Sequence, residues 1–327
     1  MRRREFLAGL GSAAAACPFA VRAQPAAVPV VGFLNLQSAA SWQGPVAAFR
    51  QGLKEMGYLE GRNVALEFRW ADARPERLPA LVAELVQRNV AVIAATGGNN
   101  TGLAAKAVTS TIPIVFTSGD DPRRYGLVES LNRPGSNITG VSWFSGELGP
   151  KRLEIMRELM PAAKTIAFLA NPTNAEAAHQ IPDMEKAARG FGMQFLGLPV
   201  SNANEIDAAF ATMVQRRADI LIMAGDPFLT NARSQIIALA TRHAIPTMYL
   251  NREQAGSEGL ISYGNSLGDG YRRAGVMTGR ILRGIKPADL PVDQATKFEL
   301  VVNLKIAQSL GLTISREFLL RADELLE

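Results

Sequence analysis

From residue 28 onward the chain repeats one pattern: a short apolar run, a polar tip, then a stretch with apolar residues at helical spacing. Residues 28–34 form such a run and end in Asn35-Leu-Gln-Ser38. In the next stretch Val46, Phe49, Leu53 and Met56 recur at i, i+3, i+7 and i+10, which puts them on one helical face. Gly57 stops that helix. The spacing predicts strands at 28–34, 64–70, 90–95, 112–117 and 138–143, and helices at 41–56, 78–86, 99–108 and 124–131. The pattern then restarts, with helices at 149–159, 176–191, 205–217 and 229–243 and strands at 165–170, 193–200, 219–223 and 246–250. Short apolar strands alternating with helices of this length imply parallel sheets covered on both faces. One sheet for about nine strands would be unusually wide. Two doubly wound α/β lobes are the more economical reading, and the length of 327 residues suits two domains.

The first 23 residues read as an export address. Arg2, Arg3 and Arg4 precede an Ala/Gly-rich run from Ala8 to Ala16, and Val21 and Ala23 supply the small residues of a cleavage site. Arg3-Arg4-Glu5-Phe6-Leu7 fits the twin-arginine pattern R-R-x-F-L. Cleavage after Ala23 is the first reading, and lipidation at Cys17 the second. The formal charge of +5 falls to +2 over the remaining 304 residues. Basic character is therefore mostly a property of the segment to be removed, and nothing predicts a nucleic-acid partner. The sole cysteine also lies there, which excludes an intrachain disulfide and cysteine-rich zinc sites.

In open α/β sheets ligands bind beyond the carboxyl ends of the strands. The predicted tips hold Asn35, Thr96-Gly97-Gly98-Asn99, Ser118, Asp121, Ser142, Asn171, Asp226 and Tyr249. Glycines such as Gly97 allow close backbone approach, and helix N-termini favour carboxylates. Asp121 and Asp226 are placed to meet an amine, while Trp143, Phe144, Tyr249 and Tyr263 offer packing surfaces for an apolar or aromatic group. For each polar residue the simpler alternative is helix capping. Catalytic signatures are lacking. Gly9-Leu-Gly-Ser-Ala-Ala14 fits a dinucleotide fingerprint but follows no strand, and Thr96-Gly-Gly-Asn is no P-loop. There is no Gly-x-Ser-x-Gly elbow. Asp120-Asp121 has no histidine near it and predicts no metal. His179 reads as exposed and His243 as a helix C-cap. Neither an enzyme nor a cofactor is expected.

The motifs Phe49-Arg-Gln-Gly-Leu-Lys-Glu-Met-Gly-Tyr58, Thr109-Ser-Thr-Ile-Pro-Ile-Val115, Leu131-Asn-Arg-Pro-Gly-Ser-Asn-Ile-Thr-Gly140, Gly259-Leu-Ile-Ser-Tyr-Gly264 and Lys297-Phe-Glu-Leu-Val-Val-Asn-Leu-Lys305 run through nearly the whole mature chain. With them the chain resembles the exported substrate-binding proteins of ABC transporters, in the group of the tryptophan/tyrosine-type binding proteins. That resemblance implies a type I periplasmic-binding fold that closes by a hinge. Lobe one would be 28–144 plus about 259–284, and lobe two 147–250 with part of 297–327. The hinges would lie near Ser145-Gly146 and residues 254–259. It also implies a periplasmic monomer that delivers a small organic solute, an amino acid or aromatic acid, to an ABC permease. By position Asn35, Thr96, Ser142, Asn171, Asp121 and Asp226 look like contacts to the solute's charged groups. Ala224-Gly-Asp-Pro227 departs from the Thr-Asp-Asn-type tip of the aromatic amino-acid binders. A periplasmic sensor feeding a membrane kinase is the alternative use of the same cleft. An α/β oxidoreductase is the remaining one.

Overall fold

The apolar run after Pro29 becomes the strand on which the first lobe is built. A computed structural model describes residues 28–327 apart from 175, 296 and 297. The expected export segment, with its twin arginines and Cys17, lies outside the described residues. In chain order the first lobe contains β1 (Val30–Asn35), α1 (Gln43–Glu55), β2 (Ala65–Trp70), α2 (Leu78–Gln87), β3 (Val92–Thr96), α3 (Asn99–Val108), β4 (Ile114–Ser118) and β5 (Ile138–Ser142). The chain then crosses to α4 (Gly149–Leu159), β6 (Thr165–Ala170), α5 (Ala177–Gly190), β7 (Gln194–Pro199), α6 (Ala203–Gln215), β8 (Ile220–Met223), α7 (Pro227–Asn231), α8 (Arg233–Arg242), β9 (Thr247–Tyr249), α9 (Arg252–Ala255) and β10 (Ile261–Gly264). It returns through α10 (Leu267–Leu282) and β11 (Asp293–Gln294). It then crosses again to β12 (Glu299–Asn303), α11 (Leu304–Ser309), α12 (Arg316–Leu319) and β13 (Glu324–Leu326).

Two sheets result, as the alternation predicts. The first has the order β11-β5-β4-β3-β1-β2 and is parallel throughout. The second has the order β13-β12-β10-β9-β8-β6-β7, and only the β10–β12 pair is antiparallel. Three expectations need correction. Residues 124–131 form turns, because Pro122 starts a tight reversal and Gly126 takes a positive φ of 68°. The helix expected at 229–243 is broken at Ala232 into α7 and α8. The return to the first lobe does not begin at Gly259, since β10 pairs with β9 and β12 in the second sheet. The crossing falls instead at Asn265 and Ser266, where Ser266 caps α10.

Two features hold the frame. Helices α1 and α10 pack backbone to backbone, and a methyl added at Gly52 would run into the Arg272 carbonyl, one at Gly275 into the Phe49 carbonyl. At the crossings Arg152 of α4 is 1% exposed and among the described residues has no carboxylate partner. Its guanidinium donates to the carbonyls of Ser145 (2.8 Å), Tyr263 (2.8 Å) and Leu250 (3.3 Å). Burial pushes its pKa down to about 9. One side chain thereby ties two crossing segments to the end of β9. The helix contact is testable by urea unfolding. Gly52→Ala and Gly275→Ala should each lose about 1–3 kcal/mol. Gly44→Ala, at an exposed helical position with open space around it, should be neutral or gain up to about 1 kcal/mol.

Candidate functional site

The carboxyl ends of β1, β3 and β4 face those of β6, β8 and β9 across a gap, because every one of these parallel strands points toward it. A chamber open to solvent lies there, at the strand ends where ligands bind in open α/β sheets. Trp42, Trp143, Leu267 and Tyr271 form its first-lobe wall, and Leu250 and Pro227 face them from the second lobe. The Trp42 and Tyr271 rings meet edge to face at 6.1 Å, and Trp143 leans on Tyr271 at 6.1 Å. Gly270 permits this, since a methyl there would collide with the Trp143 indole.

The polar side of the chamber is acidic. Glu176, the residue before α5, is 5% exposed. It accepts from Asn99 Nδ2 (2.9 Å) across the gap and from Gln180 Nε2 (3.4 Å). Burial, with Asp120 and Asp226 nearby, pushes its pKa up to about 8. Asp226 is also 5% exposed, and burial raises its pKa against the hydrogen bonds that lower it. It accepts from Leu229 N–H (2.9 Å), Asn174 Nδ2 (2.9 Å) and Asn171 Nδ2 (3.3 Å). Asp226 therefore caps α7 and lines the chamber at once. Among the described residues no lysine or arginine lines this chamber. Gln37 lines it from the first lobe, fully buried, with neither Oε1 nor Nε2 hydrogen-bonded. A buried amide left open in this way calls for a partner that the described residues do not supply. The lobes also touch beside the chamber, through Ser145 Oγ to Gly119 O (3.1 Å) and an Arg124–Glu147 ion pair (3.2 Å).

The eleven residues proposed from sequence divide into three sets. Gly97 and Asp226 line the chamber, while Asn99 and Asn171 line a second cavity on its far side. Gly97 needs its glycine: φ is 93°, and a Cβ would stand 2.8 Å from Asn35 Oδ1. Asn35, Thr96, Ser118 and Ser142 are buried behind the wall and are internally satisfied. Asn35 donates to Thr96 Oγ1 (2.8 Å) and Tyr271 OH (3.2 Å) and accepts from Gln37 N–H (2.7 Å). Both serines donate to the Asp120 carbonyl, at 2.6 and 2.8 Å. Asp121, Tyr249 and Tyr263 do not line the chamber. Asp121 is gripped in two places by Arg123, which holds its pKa low. Tyr249 faces a separate cavity with Thr241 and Ile306, and Tyr263 stacks on Phe298 at 6.0 Å. Sequence reasoning missed Glu176, Trp42 and Tyr271. The two carboxylates of Asp120 and Asp121 take separate partners, Tyr125 OH (2.8 Å) and Arg123, and among the described residues no His, Cys, Asp and Glu group could hold a metal. His179 is exposed and His243 is the C-cap of α8.

Two doubly wound lobes that meet over a chamber at their strand ends define the class, a bilobal binding protein of the periplasmic-binding fold. The family described as ABC transporter substrate binding protein matches residues 31–326, and the chain belongs to that family. This is a solute-binding family rather than a family of enzymes. The chain is 25% identical to the tyrosine-binding protein of Clostridioides difficile over 279 residues, which is 84% of this chain and 78% of the relative. A conserved domain protein from Vibrio cholerae superposes with a TM-score of 0.82 at 26% identity, covering 91% of this chain and 99% of that one. A domain from Streptococcus pneumonia in complex with L-Trp gives 0.83 at 24% identity with the same coverage. No described helix is long and apolar enough to cross a membrane.

The buried acid has a stability signature. Glu176 keeps its proton in the folded protein up to about pH 8 but loses it near pH 4.5 when unfolded. Stability should therefore fall as pH rises from 4.5 to 8, by up to about 1.4 kcal/mol per unit. Urea unfolding at steps across this window should show that slope in the wild type and a flatter profile in Glu176→Gln. Parallel profiles would mean that Glu176 ionises normally in the fold.

Proposed function

We propose that this protein is the exported solute-binding component of an ABC importer and that its chamber takes an amino acid with an aromatic or large apolar side chain. The observation that carries the ligand class is the acid wall: two buried carboxylates, Glu176 and Asp226, that face an aromatic chamber lined, among the described residues, by no lysine or arginine. A primary ammonium supplies the missing charge and up to three donors. Trp42, Trp143 and Tyr271 then enclose an aromatic ring. The solute's carboxylate meets the open Gln37 amide and the N-terminus of α3 at Gly98, where backbone N–H groups favour an anion. The tyrosine-binding relative and the L-Trp complex support this class of solute. Residues 1–23 act as an export signal of the twin-arginine type, with release after Ala23. The mature protein works as a periplasmic monomer that delivers its solute to a membrane permease. Hinge motion at the segments tied by Arg152 opens and closes the cleft.

Calorimetry against the twenty amino acids, aromatic acids without an amine and simple sugars tests the reading. Aromatic amino acids should bind, and at 100 times Kd should stabilise the fold by about 2.7 kcal/mol. Because the ammonium draws the proton from Glu176, affinity should rise with pH toward about 8, with release of about one proton per solute bound at pH 7. Binding of amine-free acids in preference to amino acids would reject it.

A further inference from the structure

The cleft does not end at the acid wall. On the side away from the crossings a second cavity of about 560 Å3 lies between the lobes. Glu176, Asp226, Gly97, Gly98 and Pro227 line both cavities, so a single wall both separates and joins them. The chemistry changes across that wall. The inner chamber sets the rings of Trp42, Trp143 and Tyr271 beside the amides of Gln37, Asn251 and Asn265, whereas the outer one is lined by the amides of Asn99, Asn100, Asn171 and Asn174 and by the hydroxyls of Thr173 and Ser201. Asn99 is 3% exposed, and its Nδ2 is spent on Glu176. Its Oδ1 is buried without a hydrogen-bond partner, on the outer side. A buried acceptor left open in a polar cavity calls for a donor from a ligand.

We propose that the outer cavity is a second subsite that takes an amide-linked extension of the solute. The solutes then include aromatic amino-acid amides and dipeptides whose first residue is aromatic, besides free amino acids. The proposal rests on the ammonium reading of the acid wall. With the ammonium at Glu176 and Asp226 and the ring among Trp42, Trp143 and Tyr271, the α-carbon sits at the shared wall. Its carboxyl carbon faces Gly98, the other element common to both cavities. In a free amino acid the chain stops there. In a dipeptide it continues outward, its peptide N–H meets Asn99 Oδ1, and its terminal carboxylate lies among side-chain amides.

The test is calorimetry of the full chain with L-tryptophan, L-tryptophanamide and L-tryptophyl-glycine, on wild type, Asn100→Phe and Thr173→Phe. These two positions come from opposite lobes and line only the outer cavity. A phenylalanine at either fills it. The amide and the dipeptide should bind the wild type within about tenfold of tryptophan or more tightly. Each variant should weaken the dipeptide by at least about tenfold and tryptophan by less than about threefold. Either variant suffices if its melting curve matches the wild type. Binding of tryptophan without the dipeptide, or equal weakening of both, overturns the second subsite and leaves the inner one standing. Failure of all three amines to bind overturns the ammonium reading and this proposal with it.

Discussion

The cleft is organised by two carboxylates held out of water, with no lysine or arginine among the described residues that line the chamber they face. Glu176 and Asp226 have amide and N–H partners, and Asp120 stands close behind. Burying an ionised carboxylate is costly unless it is paired, so such a group either keeps a proton or waits for a cation. On the proposed reading a ligand ammonium resolves the conflict, and Asn99 reaching Glu176 from the other lobe couples ligand capture to lobe closure. A solute without a positive charge leaves the conflict in place however well its body fits.

The rest of the frame serves to hold these groups at their distance. Asn35, Thr96, Ser118 and Ser142 do not reach the chamber, but they lock the tips that do. Asn35 fixes both the Gln37 backbone and the Tyr271 hydroxyl. At the other end Arg152 is the mirror of the acid wall, a buried cation satisfied by three carbonyls and no acid. It stands where the chain crosses between lobes. Phe144 beside it takes a left-handed φ of 50°, a strained choice for a residue with a side chain. Polar contacts and backbone geometry thus shape the crossings.

Much of the fold was legible because parallel strands buried on both faces leave an unmistakable apolar run. Helices α3 and α4 and strand β6 fall at their expected bounds. The place of the second crossing was not legible. β10 belongs to the second sheet through pairing with β12, a residue separation of about forty that no local pattern reports. The site was legible as a set of tips but not as a set of side chains. Tyr249 ends β9 and turns into the second lobe, while Leu250 and Asn251, just past the strand, reach the cleft. Glu176 hid at a helix start, where an acidic residue reads as ordinary capping. Tyr271 hid inside a helix whose role in the cleft depends on packing against α1. Asp121 looked as good an amine contact as Asp226 because Arg123, two residues on, gave no sign from sequence that it would fold back onto it.

The central claim is that the chamber selects a protonated amine joined to an aromatic or large apolar body. Mass spectrometry of the solute released by denaturing freshly purified protein tests it most directly. The account predicts a primary amine carrying an aromatic or large apolar group. A sugar, or an aromatic acid with no amine, as the main released solute would contradict it.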